Sequence, residues 1–210
     1  NLRVNLIKTG KLCSGPGNAR NVGIKNAKAK YLAFLDADDC YSDFYIEEMY
    51  YNVKKFGIVT APTHIYRKKK KIAEYSGENY KFLTLSDIGK TPCSFHPFLK
   101  KTLARSFEEK SSQDVYNIAL YLNQNKIKMV NNVYYILNLN NSSYTSKKNY
   151  SHIVNMSYKY YQLKSIKKKQ LKLSQQFAYR RIINNKYEKW KIMKRNKSFY
   201  DFLKEYKYEK

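Results

Sequence analysis

The sequence predicts an α/β fold on a mostly parallel sheet, followed by a basic helical extension. Three observations carry this. A short alternating segment, Arg3 to Lys8, places Val4 and Leu6 between Arg3 and Asn5. A glycine-rich turn then leads into a helix-spaced segment and on into the apolar run "YLAFL". From Ser146 to the end the periodicity is helical, with no glycine or proline. Strand, loop, helix and strand within about 30 residues make a βαβ unit, which implies parallel strands.

Each element follows in order. Arg3 to Lys8 has the two-residue period of a strand. "GKLCSGPGN" is turn chemistry, with three glycines and a proline. A helix is expected from about Asn18, with Ala19, Val22, Gly23 and Ala27 forming a small-residue face that can lie close on a sheet. "YLAFL" reads as a strand buried on both faces. Ser42 is a candidate N-cap for the next helix. There Asp43, Glu47 and Glu48 come early and Lys54 and Lys55 late, as the helix dipole favours, and Gly57 can end it. "GIVTAPTHIY" reads as one strand, "RKKKKIAEYSGENY" as an exposed loop or hairpin, and "KMVNNVYYILN" as another strand. Asp114 to Asn123 is helical, with Val115, Ile118, Ala119 and Leu122 on one face. In the extension, Leu163, Ile166, Leu171, Phe177 and Ile182 form an imperfect apolar stripe. The division expected is a catalytic domain over 1–145 and a basic helical extension over 146–210.

Composition narrows the classes. The chain has 210 residues and is 43% hydrophobic, enough for a real core. No apolar run reaches the length of a transmembrane helix. Cys13, Cys40 and Cys93 lie far apart with no CxxC spacing, which argues against a disulfide framework or zinc site and fits a reducing compartment. The formal net charge is +25. It is uneven: residues 1–145 hold roughly 22 basic and 12 acidic side chains, and 146–210 roughly 19 and 4. A block that basic suits a polyanion, either nucleic acid or an anionic membrane face.

Against this background Asp36, Asp38 and Asp39 crowd into four positions just after the apolar run. Carboxylates so close repel, and a cation relieves them. Acid triples also cap helices and decorate turns. At the C-terminal end of a strand, however, α/β sheets bind ligands. Mg²⁺ and Mn²⁺ prefer oxygen donors, and Mg²⁺ typically takes one or two carboxylates plus substrate phosphates.

The segment "SGPGNARNVGIKNAKAKYLAFLDADD" resembles the central block of family 2 glycosyltransferases of the GT-A fold: a Gly-rich loop, an Ala-Arg-Asn-x-Gly-Ile helix (Ala19 to Ile24), then an apolar strand ending in Leu-Asp-x-Asp-Asp (Leu35 to Asp39). The resemblance implies a Rossmann-like sheet flanked by helices. It places Asp36 near the ribose or nucleotide, Asp38 as the main ligand of Mn²⁺ or Mg²⁺, and Asp39 as a second ligand or its support. Arg20 would face the diphosphate or base, since a guanidinium suits phosphate oxygens. Gly15 and Gly17 would allow the tight loop and close backbone approach.

The family generally inverts configuration and needs a general base, often the Asp of a Glu-Asp pair before a helix. Gln113-Asp114 stands at that place, with Glu replaced by Gln. Asp114 is the candidate base, and Glu108 and Glu109 are fallbacks. "KTPCSFHPFLKKTL" matches a segment under the acceptor site, so Pro92, Phe95 and His96 are candidate lining residues. "SSYTS" near residue 144 resembles the usual end of the family core. The family's first strand, Pro-x-Tyr-Asn-like loop and Asp-Asp-Gly-Ser motif do not appear in the chain, which therefore reads as N-terminally truncated.

The resemblance implies transfer of a sugar from a nucleotide-sugar donor, a UDP-sugar, to a saccharide or lipid-linked acceptor in bacterial surface polysaccharide synthesis. The expected place is cytoplasmic, peripheral on the inner membrane face, with residues 160–210 against anionic lipid and Trp190, Tyr187 and Phe177 in the interface. Two alternatives stand beside it: a basic nucleic-acid-binding protein, disfavoured by acids beside an Ala-Arg-Asn helix, and an inactive transferase fragment.

Overall fold

The computed structural model describes residues 4–10, 14–77, 80–91, 93–139, 149–193 and 199–205. Of the expected first strand, residues 4–8 form no strand and pair with none among the described residues, and Val4 and Leu6 are exposed. Helix α1 (Gly15–Asn26) begins with Pro16 in its first turn, where a missing N–H costs nothing. Only Gly17 on it is buried, and Ala19 and Gly23 of the expected packing face are exposed.

"YLAFL" contributes only the two-residue strand β1 (Tyr31–Leu32). It pairs antiparallel with β7 (Phe98–Lys100), Leu32 opposite Leu99. β1 is an edge strand, so Leu32 is buried while Ala33 and Leu35 are exposed. The expected parallel βαβ unit and doubly buried strand therefore give way to an edge with one covered face. After it come β2 (Cys40–Tyr41) and α2 (Tyr45–Phe56). Ser42 does not cap α2: its hydroxyl accepts the Tyr134 N–H at 3.0 Å, and Phe44 takes the N-cap with a left-handed φ of 58°. Gly57 ends the helix as expected, at φ 76°.

The two segments expected as single long strands each divide into two. β3 (Ile58–Thr60) and β4 (Thr63–Arg67) are split at Ala61-Pro62; β8 (Ile127–Met129) and β9 (Tyr135–Asn138) are split by a turn. β3 pairs parallel with β8, and β4 parallel with β9. The parallel ribbon bends where Pro62 offers no ladder N–H, and each half joins a different sheet. One sheet has the order β1-β7-β3-β8-β6, with β6 at Phe82–Leu83. The other has the order β2-β9-β4-β5, with β5 at Lys70–Tyr75. The remaining pairings are antiparallel, so the sheets are mixed rather than mostly parallel. The α/β class stands. The expected hairpin forms between β4 and β5, with Lys68 and Lys69 both at positive φ, as a two-residue type I′ turn requires.

The main core joins these sheets to α3 (Leu85–Lys90), α4 (Gln113–Leu122), α5 (Tyr150–Lys167) and α6 (Leu171–Met193). Ile65, Phe95, Ile118 and Met129 meet Tyr161, Leu173 and Phe177 there. Burying each of these side chains contributes about 1.5–3 kcal/mol. α7 (Phe199–Glu205) packs Phe202 and Leu203 on Tyr187. The extension is thus a layer built into the core. Its expected stripe is not the buried one: of those five residues only Phe177 is enclosed. Tyr187 is buried too, and Trp190 packs on Tyr187 and Phe202 and donates to Glu205, so none of the three aromatics stands ready for a lipid interface.

One buried cation fastens this layer. The Arg180 guanidinium donates to the carbonyls of Ile88, Thr91 and Cys93 and to the Tyr158 hydroxyl. It thereby covers carbonyls at the end of α3, and it holds the segment that leads to Ser94 and His96.

Candidate active site

The turn after β1 carries the acid cluster. The Asp39 N–H donates to the Asp36 carbonyl at 3.1 Å, closing Asp36–Asp39 into a tight turn. Strand β9, about a hundred residues on, pins it. The Tyr135 hydroxyl donates to Asp39 Oδ2 at 2.7 Å and accepts the Asp36 N–H at 3.3 Å. The Asn138 N–H donates to Asp39 Oδ1 at 2.9 Å, and the Asn138 amide donates to the Asp38 carbonyl at 3.0 Å. Both Asp39 oxygens are therefore engaged. The Asp38 carboxylate is exposed, and among the described residues no hydrogen bond or ion pair reaches it. Burial pushes the Asp39 carboxyl up to about 6, against the pull of its Tyr135 and Asn138 bonds and with the repulsion of Asp38 and Asp36.

Arg20 joins this turn to the second acid motif. Its guanidinium pairs with Asp36 and donates to Gln113 Oε1 at 2.9 Å, over the Phe107 ring. Gln113 and Asp114 open α4. Burial pushes the Asp114 carboxyl up, but Arg20, His96, Ser94 and the Val115 N–H together hold it below the usual carboxylate range. His96 is buried and stacks on Tyr135 with ring centroids 4.0 Å apart. Burial lowers its pKa and outweighs the attraction of Asp114 and Asp36, so it is neutral at pH 7. Phe95 lies wholly in the core, and Pro92 lies outside the described residues, as does "SSYTS". Glu108 is taken up by Lys164 and Tyr160; Glu109 is exposed.

Gly15 stands at φ 78° in the open entry to α1. A Cβ on Gly17 would lie 2.1 Å from the Glu108 carbonyl oxygen, so its bare backbone lets α1 close on the segment leading to α4. Asn21 closes the same seam: it accepts the Phe107 N–H at 2.7 Å and donates to the Phe107 carbonyl at 2.9 Å.

Among the described residues no group of three or more His, Cys, Asp or Glu side chains could hold a metal ion. Asp38 alone offers an uncommitted carboxylate in the turn. One carboxylate completed by substrate phosphates is an ordinary Mg²⁺ arrangement, so the donor set fits a cation that arrives with a diphosphate. Residues 1–123 match the glycosyl transferase family 2 sequence family. The chain belongs to glycosyl transferase family 2. Among solved structures, S. aureus TarS 1–349 in complex with UDP-GlcNAc is similar with a TM-score of 0.52 at 19% identity, covering 69% of this chain and 46% of that one. A second crystal structure of S. aureus TarS 1–349 gives a TM-score of 0.48 at 17% identity, covering 71% and 44%. The chain spans less than half the length of these relatives. No curated protein sequence matches. In this family 2 chain, the sequence reading missed Tyr135, Asn138 and Arg180. The signal for Tyr135 was a tyrosine in a strand due for burial, whose hydroxyl needs a partner.

Proposed function

We propose that the chain carries the catalytic machinery of an inverting glycosyltransferase, moving a sugar from a nucleotide-diphosphate-sugar donor, a UDP-sugar, to a hydroxyl of a saccharide or lipid-linked acceptor. Synthesis of a bacterial surface polysaccharide is the setting. The observation that carries this reading is the Arg20 bridge. One guanidinium holds Asp36 of the acid turn and Gln113, next to Asp114, which supports reading the donor and base motifs as one site. The UDP-GlcNAc bound to S. aureus TarS supports the donor class.

In this reading the acceptor oxygen bonds the anomeric carbon as that carbon's bond to the diphosphate breaks. The acceptor proton passes to Asp114, which is ionised at neutral pH because the Arg20 charge and the Ser94 and Val115 hydrogen bonds outweigh its burial. Arg20 keeps N–H groups for the diphosphate oxygens. Asp38 would hold Mn²⁺ or Mg²⁺, which supplies positive charge against the leaving group. Asp39, with both oxygens bonded, shapes the turn instead.

Asp114→Asn tests the assignment. Donor binding is expected to persist, while kcat falls by about 10² or more, the scale of a general base. Lost donor affinity with kcat intact would make Asp114 a binding residue. Glu109 would be tested next, because Lys164 already occupies Glu108.

A further inference from the structure

The tip of the α5–α6 hairpin combines features the catalytic reading leaves unused. Leu163, Ile166 and Leu171 are 49%, 45% and 69% exposed around the turn. Lys167, Lys168, Lys169 and Lys172 are exposed among them. No acidic residue occurs between Asp114 and Glu188 in the sequence, so nothing on α5, or on the first four turns of α6, offsets that charge. The turn is also strained. Lys169 has φ 56°; its N–H bonds the Ile166 carbonyl and the Gln170 N–H bonds the Ser165 carbonyl, both at 2.8 Å. This is a Schellman ending with lysine where glycine is the easy choice. A lysine kept in the left-handed region points to use of its charge.

We propose that this tip is a docking surface for anionic lipid. Aliphatic side chains ringed by lysines suit a headgroup layer, where the apolar groups enter and the ammonium groups meet phosphates. A second copy of the chain is a poor occupant, because each copy carries +25. Nucleic acid is a poorer match than lipid, because the three exposed apolar side chains at the tip are aliphatic and offer no stacking face.

The helix that ends at the tip also braces the segment before the candidate base. One turn back from it, Lys164 pairs with Glu108, and the Tyr161 hydroxyl donates to the carbonyls of Lys110 and Ser111 at 3.2 and 3.1 Å. That segment runs directly into Gln113 and Asp114. A membrane held at the tip is thereby linked through α5 to the segment that precedes Asp114, an arrangement that suits an acceptor with a lipid anchor. This last consequence rests on the proposed function; the docking does not.

The test is sedimentation of the full chain with phosphatidylglycerol-containing vesicles, against phosphatidylcholine alone. Binding is expected only to the anionic vesicles. The variant Lys167→Gln/Lys168→Gln/Lys169→Gly should bind about 100-fold more weakly, at roughly tenfold or less per lysine near an anionic surface. It should fold at least as well, since glycine relieves the turn. Ile166→Ser/Leu171→Ser should weaken binding about tenfold. Wild-type affinity in either variant, or equal binding to neutral vesicles, overturns the proposal. So does a lysine-dependent RNA complex or dimer in a chain that ignores vesicles. Vesicle binding that survives in Asp114→Asn, with transfer lost, separates docking from catalysis.

Discussion

Asp39 and Asp114 are both enclosed carboxylates, yet their environments drive them in opposite directions. Burial carries Asp39 up to about 6; Asp114 falls below the ordinary range. The difference lies in the charges around them. The Arg20 guanidinium faces Asp114, whereas Asp39 has two neutral donors and two further carboxylates. The base side of the site is electrostatically complete. The acid turn is short of positive charge, and under the proposed function Asp38 is the carboxylate that would receive a cation.

The sharpest way to break this contrast is at Asp38. Asp38→Asn is expected to abolish Mn²⁺- or Mg²⁺-dependent transfer, a loss of at least about 10². It should also abolish Mn²⁺ uptake in the presence of UDP, followed by electron paramagnetic resonance. Thermal stability should hold or rise, because one of three repelling charges is gone. Unchanged Mn²⁺ uptake and activity would remove Asp38 from the metal assignment.

The acid turn was legible because its signal is local: four consecutive residues after an apolar run, preceded by the Ala-Arg-Asn helix. The resemblance ranked Asp38 above Asp39 but left Asp39 as ligand or support; its commitment to the turn was not legible locally, because Tyr135 and Asn138 arrive from β9. The same limit explains Ser42, whose hydroxyl suits a cap but is claimed by the Tyr134 N–H. "GIVTAPTHIY" read as one strand because its apolar pattern is continuous. Pro62 was the visible cue to a break, but the sheet switch also depends on the parallel partner β8–β9. In the extension, hydrophobicity misled. Leu163, Ile166, Leu171 and Ile182 face out, while Arg180 is buried, because its donors answer carbonyls that no pattern reveals.

That buried arginine gives the second, smaller effect, and it sharpens the comparison from the base side. Arg180→Met would leave the Ile88, Thr91 and Cys93 carbonyls without their donor. At about 1–3 kcal/mol for each unsatisfied group, a loss of roughly 3 kcal/mol or more is expected in urea unfolding. Arg180→Lys should recover part of it, since one ammonium cannot reach every acceptor. If Arg180 positions the 91–96 segment, the lysine variant, once folded, should lower kcat with donor affinity unchanged. Equal losses in both would mark Arg180 as structural alone.

The smallest effect concerns the pH dependence of Asp39 in the metal-free protein. Its folded pKa, about 6, lies above the ordinary 3.8, so the folded chain holds this proton more tightly than the unfolded chain. The sign follows from linkage: the contribution is fully present below about pH 4 and is lost as pH rises through 6. Asp114 has the opposite sign, its contribution being present above the ordinary carboxylate pKa and lost in acid. His96, with a lowered pKa, also favours the folded state at higher pH and loses that contribution as pH falls. Raw melting curves mix the three, so the informative quantity is the difference between wild type and Asp39→Asn in EDTA. Relative to the variant, the wild-type Tm should fall by a few degrees between about pH 4 and pH 7. Adding Mg²⁺ with UDP should shrink that fall, because a cation on Asp38 stabilises the ionised form of Asp39. A flat difference across this range would mean that Tyr135 and Asn138 already compensate its burial, and the contrast with Asp114 would then lose its electrostatic basis.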